Sequence, residues 1–314
     1  MLSDIRTRLK EDSQMNRGAF YSAVYDRAPL GVLRFFADWG YMAGEECRLE
    51  IETALGAAET FTEGQAHGAA IESILRKPAF EWTNFRGMIR RTGDERRALG
   101  PSDEGANLPD VERKTRRAGV AIHNLMETEA VSQVEEICDG DENFGDVSRV
   151  ANPTLLPFEV DASGADLAVE AESSLLLNRW LHEGVDAPYG TDYDLIVVSP
   201  LQGGRLGAHG SNKAVVNLSQ GGEFFATPIR TYLGKSPVVD VPGLTTTIML
   251  GLSGVGGGVK WGWIWHEFNP GRFHVLDMGA EGQDNVLNVQ ISTSGRVGCN
   301  SPNTQGDLYG LATS

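Results

Sequence analysis

The chain has 314 residues, 27 Lys and Arg against 43 Asp and Glu, and a formal net charge of −16. That length is enough for one large domain or two modest ones, and so acidic a body argues against general DNA or RNA binding, whose affinity rests on neutralising phosphates. There is no apolar run of about 18 residues and the N-terminal stretch MLSDIRTRLKEDSQMNRGAF is charged, so neither a membrane span nor a secretory signal is read and synthesis in the cytosol is expected.

Residues 1–75 read as mostly helical. Segments 18–37 and 45–58 are rich in Ala, Leu, Phe and Glu and are broken at Pro29 and Gly44, and Ala69 to Arg76 adds a turn or two before Pro78. With no compact apolar pattern of its own, this region is expected to be an arm that packs on something else. Residues 77–106 change character. Phe80 and Trp82 alternate as strand residues do, and Thr92-Gly93-Asp94 signals a turn. An extended two-stranded loop is expected, carrying Arg86, Arg90, Arg91, Arg96 and Arg97. Loops of this length in compact proteins are usually functional or disordered. The surrounding segment 76–117 holds 11 basic and 7 acidic residues, a net of +4, between flanks of −5 and −15. A basic segment on an acidic body is suited to the acidic surface of another copy of the chain, although a solvated charged loop has the same composition.

Asn107 to Gly140 predicts a long helix. Asn107 serves as cap and Pro109 suits the first turn, while Asp110 and Glu112 favour the positive end of the helix dipole. Ala118, Ile122, Met126, Ala130, Val134 and Ile137 recur at helical steps and form one narrow apolar stripe. Such a rod, roughly 40 Å long, lies across a surface with one side on a sheet or neighbour. The following DGDENFGD has the first spacings of a calcium loop, but Phe144 and Val150 stand where that loop needs Gly and Glu, so a polar turn is expected. Residues 152–162 read as an edge strand, 164–183 as a helix stopped by Gly184, and Asp194–Ser199 as a buried strand; together they form an αβ unit with a mixed sheet. Gly203–Gly210 reads as a flexible loop and Asn212–Ser219 as a short helix or strand. From Glu223 onward a series of short strands predicts an antiparallel meander, with Trp261, Trp263 and Trp265 on one face of their strand and Ile264 on the other. Core or interface packing is the ordinary use of such a ladder; a sugar-stacking platform is the alternative. The tail CNSPNTQGDLYGLATS is polar and is expected to be a surface strap.

Little in the sequence carries catalytic chemistry. His266-Glu267 begins like a zinc-protease motif, but the second His is missing and Pro270 prevents the helix that would align two ligands; His274 lies across a turn. Gly254–Lys260 is glycine-rich but lacks the Gly before Lys and the Ser or Thr after it that a phosphate loop requires, and it reads as a mobile hairpin tip. Cys47, Cys138 and Cys299 are far apart and make no metal or disulfide pattern. No catalytic residue, metal ligand or cofactor-binding residue is assigned, and no cofactor is expected.

The order of pieces is specific: a helical arm, an extended basic loop, a long helix, a compact α/β unit and a strand-rich end. It resembles the major capsid protein fold of tailed bacteriophages, which encapsulin shells share. Tyr232–Asp240 (YLGKSPVVD) with Thr245–Gly251 resembles a run late in many of those proteins, and Ala187-Pro188-Tyr189-Gly190 followed by Asp194–Pro200 resembles their strand after a helix. The resemblance implies an α+β fold with four parts: an N-terminal helical arm at 1–76, an extended β-hairpin loop at 77–106, a peripheral domain with a spine helix at 107–162, and an axial α/β domain with a mixed or antiparallel sheet at 163–314. It also implies a non-enzymatic subunit that self-assembles into pentamers and hexamers of an icosahedral phage shell around double-stranded DNA. Scaffold, portal or decoration proteins would be partners, the DNA would be contacted only weakly, and no membrane would be involved. The protein would be made in the host cytoplasm and end in the virion capsid. Arg86, Arg90, Arg91, Arg96, Arg97 and Trp82 are the candidate inter-subunit contacts. Other readings are another phage structural part such as a tail tube or decoration protein, a β-rich glycan-binding module, and an enzyme with a site assembled from distant residues.

Overall fold

The computed structural model describes residues 31–52, 75–91, 104–141, 143–186, 193–208, 230–232, 236–255, 260–267, 274–281 and 286–313. Within them, a short 3-10 turn (Leu33–Phe35) precedes strand β1 (Ala37–Met42), then come β2 (Cys47–Arg48), β3 (Ile51–Glu52), β4 (Leu75–Arg76), β5 (Ala79–Phe80) and β6 (Thr83–Arg91). Helix α1 spans Glu104–Cys138, followed by β7 (Phe158–Asp161), α2 (Glu170–Asp186), β8 (Leu195–Val198) and α3 (Pro200–Ala208). The remainder is β9 (Arg230–Tyr232), β10 (Ser236–Asp240), β11 (Met249–Leu252), β12 (Trp261–His266), β13 (His274–Glu281), β14 (Val286–Cys299) and β15 (Gly306–Tyr309).

Helix α1 bears out the periodicity argument. Every member of the stripe from Ala118 to Ile137 is buried, with Ile122 and Ala130 fully enclosed, while Leu125 and Asn124 on the far side are exposed. The stripe packs against the inner face of β6, where Phe85 and Ile89 alternate inward and Asn84, Arg86, Met88 and Arg90 face out. Polar bonds fix the direction of β6 along the helix. Gln133 Nε2 donates to Thr83 Oγ1 at 3.0 Å near one end, and Lys114 Nζ donates to the Arg90 carbonyl at 3.2 Å near the other.

Two sheets share the chain. One runs β1-β12-β14-β13, with β6 also antiparallel to β14 from Leu287↔Arg91 to Gly295↔Thr83. The other is six-stranded, β7-β15-β11-β8-β10-β9, with β8–β10 and β7–β15 parallel and β11 antiparallel to both its neighbours. Strand β8 is apolar at all four positions because both faces are covered. Leu195 and Val197 join the core under α1, whereas Ile196 and Val198 join a second core with Leu177 and Trp180 of α2.

Several expectations are corrected. Within 45–58, the described residues form β2 and β3, not helix, because Cys47 and Ile51 are buried by pairing with β5 and β4; of the helix expected at 18–37, the described end is a 3-10 turn (Leu33–Phe35) leading into β1 at Ala37, and residues 18–30 lie outside the described residues. Gly203 does not sit in a flexible loop. Pro200 opens α3, Ser199 Oγ accepts from the Gln202 N–H at 3.3 Å as its cap, and an ideal Cβ on Gly203 would stand 1.9 Å from Asp240 Oδ1, so glycine there permits close packing rather than flexibility. Helix α2 starts six residues later than the expected 164, since Asp161 and Asp166 accept from the N–H groups of Ser163 and Ala168 in local turns, and it runs on through Gly184. The late strands are no single meander: β11 lies in one sheet and β12 in the other. The polar tail is no surface strap either, since β15 lies between β7 and β11 with Gly306, Asp307 and Leu308 buried. The edge strand expected at 152–162 is β7, at the margin of its sheet.

Gly262 of β12 faces the Trp39 indole of β1, and an ideal Cβ there would stand 2.4 Å from three of its ring atoms. Gly262→Ala is expected to cost about 1–3 kcal/mol through overpacking, read as a lowered urea midpoint with an unchanged slope.

Candidate assembly surface

The outward face of β6 carries Arg86 and Arg90 on either side of Met88, which is 58% exposed. Their cross-strand neighbours on β14 are Ser292, Gln290 and Asn288, so no acidic residue stands directly opposite. No ion pair among the described residues engages Arg86 or Arg90. Arg91 ends β6, and Arg96 and Arg97, with the second arm of the expected hairpin, lie outside the described residues. The described partner of β6 is β14. Trp82, half-buried, is engaged within its own chain: its Nε1 donates to the Gly44 carbonyl at 3.0 Å and its ring meets the edge of His266 at 4.8 Å.

A second charged region lies where the C-terminal end of α1 meets β7 and β15. Arg149 is buried and donates to the Ile137 carbonyl at 2.7 Å and to the Asp139 carbonyl, supplying donors to carbonyls that the helix end leaves unpaired. The Glu159 carboxylate accepts from the Gly140 N–H. Parallel pairing sets Asp307 beside Glu159 and Tyr309 beside Asp161, which places the four on one face of the sheet. Asp307 is 7% exposed and its Oδ1 has no hydrogen-bond partner. Burial, then the nearby Glu159, Asp139 and Glu135 carboxylates, push it up to about 8. Glu159 is also raised, first by burial, against the pull of its bond from Gly140. Nothing at sequence level marked Arg149 or Asp307: one sits in a polar turn and the other in a polar tail.

The remaining sequence candidates are structural in their surroundings. Trp261, Trp263 and Trp265 are all buried, Trp261 stacking on Phe36 at 5.3 Å and Trp263 meeting Trp265 edge-on at 5.9 Å, so this ladder presents no platform to a sugar. His266 Nε2 lies 3.0 Å from the Gly44 carbonyl, and His274 is exposed on β13. Burial pushes the Cys47 thiol up to about 11 and Cys299 to about 12 and holds Cys138 well above its ordinary value, which leaves all three as unreactive thiols at neutral pH. Lys260 ends the glycine-rich run by donating to Ser253 Oγ and Thr304 Oγ1 at 3.2 and 3.0 Å.

No protein-family model and no curated protein matches the sequence. Solved structures do match the fold. The cyanophage A-1(L) capsid aligns with a TM-score of 0.57 at 11% identity, over 87% of this chain and 90% of its own. The capsid of the empty GTA particle aligns at 0.56 and 14% identity, over 95% and 99%. The holo-SrpI encapsulin complex from Synechococcus elongatus PCC 7942 aligns at 0.54 and 14% identity, over 88% and 85%. The chain therefore has the α+β fold of phage capsid and encapsulin shell proteins, as the resemblance in its sequence implied.

Asp307 generates a pH prediction. Its proton is held in the folded state up to about pH 8, against an ordinary value of 3.8. Between those values the folded state binds more protons than the unfolded one, so stability falls as pH rises through that window. Asp307→Asn is expected to flatten this dependence and, above pH 8, to be more stable than the parent by about 1–3 kcal/mol, because the amide stays neutral where the buried carboxyl must ionise. Thermal unfolding of both proteins at pH 5, 7 and 9 checks it; parallel curves would refute the assignment.

Proposed function

We propose that this chain is a structural, self-assembling subunit of an icosahedral phage capsid that encloses double-stranded DNA. The observation that carries this reading is the breadth of the fold match, which extends over nine-tenths or more of the cyanophage and GTA capsid chains and leaves little of this one unaligned. A shell subunit needs large self-complementary surfaces and no catalytic residues. Under this reading residues 1–76 act as an arm, 77–106 as an extended loop, 107–162 as a peripheral domain with α1 as its spine, and 163–314 as an axial domain, in rings of five and six. Arg86, Arg90, Arg91, Arg96 and Arg97 lie over the acidic body of a neighbouring copy, with Trp82 at the root of the loop. The net charge of −16 keeps packaged DNA from adhering to the wall. Scaffold, portal or decoration proteins are further partners, and the subunit is made in the host cytoplasm before entering the virion. The encapsulin alignment supports a second reading, a shell around protein cargo.

Negative-stain microscopy and sizing of the full chain expressed alone test the assembly step. Closed particles, or rings of five or six, are the expected outcome; a 34.0 kDa monomer at every concentration, with or without the other proteins encoded beside it, is the contrary one. Particles from the native source separate the two readings: nuclease-protected double-stranded DNA supports the capsid, and enclosed protein without DNA the encapsulin. Reversing Arg90, Arg91, Arg96 and Arg97 together to Glu is expected to lower the assembled fraction at least tenfold. Assembly at the parent level would remove the basic loop from the contact.

A further inference from the structure

The two charged regions have complementary deficits. On β6, Arg86 and Arg90 are exposed and have no ion-pair partner among the described residues, and they flank the exposed Met88. At the β7/β15 margin, Asp141, Glu159, Asp161 and Asp307 lie about Tyr309, which is 41% exposed and which burial and then Asp161, Glu159, Asp141 and Asp307 shift upward. Arg149 is the guanidinium that acts on Glu159, and it is already committed to two backbone carbonyls. Asp307 adds an independent sign that something is missing. Its Oδ1 is nine-tenths buried, stands among three other carboxyl groups, and has no hydrogen-bond donor.

The chain cannot bring a guanidinium donor to this margin from its own β6. Arg90 is level with Lys114, through the bond from Lys114 Nζ to its carbonyl, whereas the acidic margin begins at Asp139. Twenty-five residues of helix separate the two, about 37 Å at 1.5 Å per residue. Arg86 is nearer, since its neighbour Gly87 lies against Ile122, about 25 Å of helix from Asp139, and an arginine side chain spans a small part of either distance. Two opposite charged patches at separate places on one subunit define a head-to-tail contact, and such contacts generate rings when the rotation closes.

We infer that the acidic β7/β15 margin receives the Arg86–Met88–Arg90 face of a second copy of this chain, with Met88 set against the Tyr309 ring. This rests on the shell reading above and names the surface on which the basic strand docks. The arginines bring charge to the carboxylates, and the thioether and phenol ring exclude water from the centre of the contact. Ion pairs at the rim of such a contact are screened over about 8 Å at physiological salt, so its strength falls as salt rises.

The test uses the full chain and charge exchange, read by light scattering and microscopy. Arg86→Glu with Arg90→Glu, and separately Asp141→Lys with Asp161→Lys, are each expected to lower the assembled fraction at least tenfold while the circular dichroism spectrum stays that of the parent. The fourfold variant, which exchanges both charges, is expected to recover at least half of parent assembly. If either reversal unfolds the chain, Arg86→Gln with Arg90→Gln and Asp141→Asn with Asp161→Asn replace them, and each is expected to halve the salt dependence of the parent's assembly. Parent-level assembly of both reversed variants, a fourfold variant no better than either, or an unchanged salt dependence in the neutral variants overturns the contact and leaves the shell reading standing. A parent chain that never assembles overturns both.

Discussion

The rest of the structure depends on how the C-terminal end of α1 is held. A 35-residue helix with one narrow apolar stripe is only marginally stable without tertiary partners, because most helical stability in proteins comes from packing. Here the stripe is covered by β6 and the sheet behind it, and the end is fixed by three kinds of bond. Arg149 satisfies carbonyls of the last turn, Glu135 accepts from the Thr245 N–H at 2.6 Å, and Glu159 accepts from Gly140. Those partners belong to the loop after the helix, the approach to β11, and β7. The helix thus shares one apolar core with residues of both sheets and is fixed at its C-terminal end by polar bonds.

That division explains why one core is not enough. Strand β8 lies between the two apolar clusters and contributes alternate residues to each. A sheet covered on both faces needs apolar residues at every position, and Leu195 to Val198 supply them. Two buried polar side chains near it tie separate elements together. Gln305 accepts from the Ser253 N–H at 2.8 Å and from Trp261 Nε1 at 3.1 Å, linking the two sheets through one amide. Arg296 makes a comparable link: it pairs with Glu136 of α1 at 2.9 Å, donates to the Glu81 carbonyl, and lies over the Phe80 ring at 4.5 Å.

What was legible in the sequence was whatever repeats with a period. The α1 stripe and the buried β8 run are local patterns, and each appears where the residues place it; the alternation read at Phe80 and Trp82 does not, since Phe80 ends β5 and Trp82 precedes β6. What was not legible depends on partners distant in sequence. The tail GDLYG is polar by composition, yet β15 is buried because β7 and β11, some 150 and 60 residues earlier, close on both sides of it. The glycines of α3 look like a loop until Asp240 is seen against Gly203. The arginines of β6 stood out through composition alone, whereas the acidic margin did not, since its members come from the turn after α1, from β7 and from β15. Spatial clustering of like charge across three segments leaves no local trace.

The same clustering bears on what kind of protein this is. Isolated like charges in a monomer are normally spread out, since repulsion between them costs stability. Here the described chain concentrates acid at one margin, buries a carboxyl oxygen there without a hydrogen-bond donor, and sets the exposed Arg90 on another element about 37 Å away along the helix. In a free monomer that arrangement is a net cost. In a ring of copies, each basic face meets the acidic margin of the next, and the cost within one chain becomes the specificity of the contact between two. Charge segregation of this kind is what the proposed contact between copies would offset.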